Sequence, residues 1–73
     1  MARGVDDEVA VAEAYANARS LRADDATAVE LASQCYRDLF PGVAEDRVAA
    51  EVERIVKPVR AAVDAGRSWW AGG

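Results

Sequence analysis

The side chains able to do chemistry are few, and what is missing matters as much as what is present. Cys35 is the only cysteine and there is no histidine. Nucleophilic hydroxyls and thiols usually need an imidazole beside them to take the proton, so serine–histidine and cysteine–histidine arrangements are ruled out. A zinc site of the usual Cys/His kind is ruled out for the same reason, and so is a disulfide within the chain. Carboxylates are plentiful and clustered, as Asp6-Asp7-Glu8, Asp24-Asp25 and Glu45-Asp46. Paired acids can move protons or hold a cation. Each cluster, however, stands at the start of a predicted helix, where negative charge complements the unpaired N–H groups by about 0.3–1 kcal/mol. They are therefore read as helix-end markers. The five glycines form neither a phosphate-cradling loop nor a dinucleotide fingerprint. No residue is expected to be catalytic, cofactor-binding or metal-ligating, and no cofactor is expected.

The elements that would position any site are helical. Period-2 runs of β-branched residues and Asn-Gly or Asp-Gly hairpin turns are lacking. The first predicted helix spans about 6–21. It carries Val5, Val9, Ala12 and Ala16 on one face, with Val11 and Tyr15 beside them. The second spans about 25–40. Ala28, Leu31, Ala32, Cys35, Tyr36, Leu39 and Phe40 follow the i, i+3, i+4, i+7 rule, and Ser33 falls with the polar residues opposite. Asp24 or Asp25 serves as N-cap, Thr27-Ala-Val-Glu30 reads as a capping box, and Pro41-Gly42 stops the helix. Cys35 lies on the apolar stripe and is read as a small core residue.

The third predicted helix spans about 44–66. Val48, Val52, Ile55, Val59 and Ala62 recur at alternating spacings of four and three, the 3.5-residue repeat of a coiled-coil-like seam. Pro58 interrupts it, at a cost of about 3 kcal/mol in a helix interior. The pattern stays in phase across Pro58, which favours one long helix kinked there over two helices broken at Lys57–Pro58. The repeat continues through Gly66 to Trp69, with Trp70 on its flank. Short connections imply antiparallel neighbours, and the predicted fold is all-α, a single-domain three-helix bundle over 1–73 with a tail at 67–73.

Charge bears on partners. The chain has a net charge of −4, the wrong sign for nucleic acid in general. The distribution is uneven. Residues 1–30 sum to −4, whereas Arg54, Lys57, Arg60 and Arg67 against Asp64 leave residues 54–70 at +3. A compact DNA-binding regulator that uses this basic end is the main alternative reading, and an accessory subunit of an enzyme is the second. No run of apolar residues is long enough to cross a membrane, and the acidic start does not read as a signal peptide. A cytoplasmic protein with a reduced Cys35 is expected. The abundance of Ala, Val, Arg and Asp matches the bias of high-GC bacterial genomes.

The stretch Leu39–Val56, "LFPGVAEDRVAAEVERIV", resembles part of the small three-helix bundle dimerisation domains of actinobacteria. Phe40, Pro41, Glu45 or Asp46, Val48 and Val52 carry the likeness, over about a quarter of the chain. The resemblance implies a helical, self-associating module. Size argues the same way independently. A chain of 73 residues has little core, and natural proteins this small commonly add disulfides, a metal or a partner chain. With the first two ruled out, a homodimer is expected, with Val48, Val52, Ile55, Val59 and Ala62 as its seam. The pair Trp69 and Trp70, with Arg60 and Arg67 nearby, is the candidate surface for another protein, because Trp is enriched at binding hot spots.

Overall fold

Three helices account for the architecture: α1 (Arg3–Ser20), α2 (Asp25–Leu39) and α3 (Glu45–Asp64). The structure is a computed structural model that describes the backbone over residues 3–66 and side-chain environments from Asp7 onward. All three helix pairs are in contact, so the chain is an all-α three-helix bundle. Helix α1 begins three residues before its predicted start, and α3 begins one residue later and ends two earlier than predicted.

Local chemistry explains the boundaries. Helix α1 ends in a Schellman motif. The Ala23 N–H bonds the Ala18 carbonyl and the Arg22 N–H bonds the Arg19 carbonyl, both at 3.0 Å. The left-handed position that glycine normally fills is taken by Arg22, at φ 73°. The N-cap of α2 is Asp24, whose Oδ1 accepts from the Thr27 N–H at 2.9 Å. Thr27 is thus the third residue of the helix and not the cap, which corrects the capping-box expectation. Thr27, through its side chain first and its backbone N–H second, holds the Asp24 carboxyl below its ordinary value. Helix α3 starts without a side-chain cap but with Glu45 and Asp46 in its first turn, where the dipole favours them.

Pro58 lies inside α3, which is one continuous helix from Glu45 to Asp64. Its ring is exposed, as the polar-side placement requires.

The core is built from small and β-branched residues. Val11, Tyr15, Val48, Val52 and Val56 are its largest fully buried side chains. Alanines fill much of the rest: Ala12, Ala16 and Ala18 on α1, Ala28 and Ala32 on α2, and Ala62 on α3. Tyr36 and Phe40 add a tilted ring pair with centroids 4.7 Å apart. Such small side chains let helices approach closely, and the approach decides which part of each apolar arc faces inward. On α1 the fully buried residues are Val11 and Tyr15, while Val9 is 40% exposed. On α2 the expectation that Leu31 and Leu39 anchor the core is overturned: they are 48% and 38% exposed. Ser33 turns inward instead, and its hydroxyl donates to the Val29 carbonyl at 2.9 Å.

The seam Val48, Val52, Ile55, Val59 and Ala62 is buried between the helices of this one chain.

Candidate functional site

Asp25 and Tyr15 tie the three helices together at one end of the bundle. The buried Tyr15 hydroxyl donates to Asp25 Oδ1 at 2.5 Å. Arg19, one turn further along α1, donates to the Tyr15 oxygen at 2.7 Å and to Asp64 on α3 at 3.1 Å. Arg60 of α3 forks onto the same Asp25 carboxylate, at 2.9 and 3.3 Å, and also reaches Glu53 at 2.7 Å. Arg60 and Tyr15 together hold the Asp25 carboxyl below the usual carboxylate range. Burial, with the Asp25 carboxylate in second place, pushes the Tyr15 phenol up. The Arg60 guanidinium likewise lowers Glu53.

This cluster is electrostatically satisfied from within. Its acids meet its arginines, and among the described residues no buried side-chain nitrogen or oxygen lacks a partner. A phenol held protonated and a carboxylate held ionised, both already engaged, do the work of a clamp. Sequence periodicity places Asp25 at the start of a helix and Tyr15 on an inner face, but their meeting requires α1 and α2 to be antiparallel with a tight turn between them. The pairing of Asp25 with Arg60, 35 positions apart, had no local signal at all.

A second feature lies along α1 and α3. Glu8 meets Arg54, and Arg19 meets Asp64, so these two helices run in the same direction. Between them is a groove of about 270 Å³ lined by Glu8, Val9, Ala12, Arg54, Ile55, Pro58 and Val59. Its floor and walls are apolar apart from one rim, where Arg54 bridges Glu8 at 2.8 Å and Glu51 at 2.7 Å.

A third feature is the outer stripe of α2. Leu31, Cys35 and Leu39 succeed one another at four-residue spacing, which keeps them on one face. Cys35 is half-buried between the two exposed leucines. Burial, then the nearby Asp38 and Asp7 carboxylates, pushes its thiol up, which disfavours the reactive thiolate.

Among the residues read as partner surface, Arg60 is engaged by Asp25 and Glu53. Arg54, of the same basic stretch, is engaged by Glu8 and Glu51. Arg67, Trp69 and Trp70 lie outside the described residues. Among the described residues no cluster of His, Cys, Asp and Glu has a metal-binding arrangement. No helix there is long and apolar enough to cross a membrane.

Fold and surfaces together define a small three-helix bundle with a closed polar clamp, an open apolar groove and a leucine-bearing outer stripe. No protein-family model, curated protein or solved structure matches the chain.

Proposed function

We propose that the protein is a small helical interaction module that pairs with a second copy of itself through the outer face of α2 and works by binding, not by chemistry. The observation that carries this reading is the fate of leucine. The chain has three, Leu21, Leu31 and Leu39, and all three are exposed, at 81%, 48% and 38%. Leucine is among the residue types most often found inside. Here the interior is instead filled by valine, alanine and tyrosine. Single exposed leucines need no explanation, but two on one stripe of one helix make an apolar face that a partner can cover.

The stripe suits a two-fold partner. A dimer of this kind uses the same patch on both copies. If two α2 helices cross antiparallel with the axis at Cys35, Leu31 of each copy meets Leu39 of the other. The likeness of Leu39–Val56 to dimerisation domains points the same way, although the valine seam is occupied within the chain. Sedimentation equilibrium tests the reading. The wild-type chain is expected to be dimeric at low micromolar concentration, and the Leu31→Lys/Leu39→Lys double variant monomeric with unchanged helical circular dichroism. A wild-type chain that stays a folded monomer through high micromolar concentration would sink the proposal.

A further inference from the structure

We propose that the groove between α1 and α3 binds a compact amphipathic amine. The aryl or alkyl body fills the groove and the primary ammonium sits at its acidic rim.

The shape selects the size. The groove holds about 270 Å³, and a dry cavity of about 150 Å³ already takes up a benzene molecule. Ion pairs bar it at both ends. Arg54 of α3 reaches Glu8 of α1 at 2.8 Å, and Arg19 of α1 reaches Asp64 of α3 at 3.1 Å. Asp64 follows Arg54 by ten residues, so the bars stand about 15 Å apart along the helix axis. A partner helix is about 10–12 Å thick with its side chains and would have to break a bar to lie along this floor. One ring or a short chain fits between the bars. The floor it meets is apolar, formed by Val9, Ala12, Ile55 and Val59.

The rim selects the charge. Arg54 bonds Oε2 of Glu8 and Oε1 of Glu51. Among the described residues the other oxygen of each carboxylate accepts no hydrogen bond. Two carboxylates around one guanidinium leave the rim with a net negative charge. The Nη1 of Arg54 is unengaged as well, but an anion approaching it would face both carboxylates.

Pro58 supplies a third acceptor. It lies inside α3 and has no N–H, so the Arg54 carbonyl four residues back receives no helical hydrogen bond. Arg54 and Pro58 both line the groove, and Pro58 is exposed, so the freed carbonyl lies on the groove side of the helix. A primary ammonium carries three donors and no acceptor. Its donors match Glu8 Oε1, Glu51 Oε2 and the Arg54 carbonyl. This site does not depend on pairing through α2.

Titration of the isotope-labelled full chain with 2-phenylethylammonium, followed by amide chemical shifts, tests the proposal. Saturable shifts centred on Glu8, Val9, Ala12, Ile55 and Val59 are expected, with a dissociation constant of about 1 mM, in keeping with so small a ligand. The carboxylate of similar body, 3-phenylpropionate, should bind about tenfold more weakly, because the rim repels it. Val9→Lys, at a position exposed enough to leave the fold intact, places the chain's own ammonium at the groove and should abolish the shifts while circular dichroism stays unchanged. Pro58→Ala returns the missing hydrogen bond to the helix. It should raise Tm and yet weaken amine binding several-fold. The Leu31→Lys/Leu39→Lys variant should bind the amine as the wild type does, which separates this site from the dimer face. The absence of saturable shifts at the groove would overturn the proposal. Equal affinity for the carboxylate would do the same, as would amine binding left unchanged by Val9→Lys or by Pro58→Ala.

Discussion

The clamp around Asp25 and the groove between α1 and α3 share α1 and α3 and could hardly differ more. At the clamp, Tyr15, Arg19, Asp25, Glu53, Arg60 and Asp64 satisfy one another across three helices. At the groove, Val9, Ile55, Pro58 and Val59 form a wall with nothing set against it among the described residues. Polar groups taken out of water must find partners or destabilise the fold by about 1–3 kcal/mol each, so a cluster of this kind closes within the chain. Apolar surface has no such directional demand, and it can be left for a later occupant. The closed region therefore specifies the arrangement of helices, and the open one is where binding is to be sought.

Substitutions can break or sharpen this contrast. The largest effect is expected at the clamp. Tyr15→Ala removes a fully buried ring and should lower stability by about 3–5 kcal/mol, the range for large aromatic truncations, as measured by urea unfolding. Asp25→Asn should cost less, about 1 kcal/mol at neutral pH, because the carboxylate is nearly half exposed and its ion pairs are screened.

The pH dependence follows from the lowered folded-state value of Asp25. The unfolded chain binds the proton more readily. The contribution is therefore complete above the ordinary carboxylate value of about 3.9 and disappears as the pH falls through the lower folded one. Thermal melts should show the difference between wild type and Asp25→Asn shrinking steadily below about pH 4. A difference that instead persists unchanged to pH 2 would mean that the charge of Asp25 is not what the clamp uses.

Arg22→Gly should move stability the other way. Arg22 holds the left-handed position of the turn that brings Asp25 to Tyr15, and relieving its Cβ is expected to add about 1 kcal/mol. The smallest effect belongs to the groove. Val9→Lys should change the unfolding free energy by no more than about 0.5 kcal/mol. A loss comparable to that of Tyr15→Ala would show that the groove wall belongs to the core.

Much of this bundle is readable in order along the chain. The stop at Pro41-Gly42, the acids that open α2 and α3 and the valine repeat of α3 are local signals, and each lies where expected. Even Pro58 conforms, because its phase on the helix was enough to place its ring outside. Asp6-Asp7-Glu8 does not mark a helix end, because α1 begins at Arg3, ahead of it. The leucines of α2 were not readable. The apolar arc from Ala28 to Phe40 is wider than the contact it makes, and periodicity cannot say which edge is left over. The close approach of alanine-rich α1 turns Ala28, Ala32, Ser33 and Tyr36 inward and leaves Leu31 and Leu39 outside.

Residue types and their spacing determined that this chain is three helices with short turns, without histidine or paired cysteine chemistry, because helix propensity, capping and composition act over a few neighbouring residues. Only the tertiary structure decided that Tyr15, Asp25 and Arg60 meet and that leucine stays outside. It also decided that the valine seam is spent within one chain. Such outcomes depend on how closely whole helices approach and in which direction they run, a property of faces packed together across more than thirty residues of sequence.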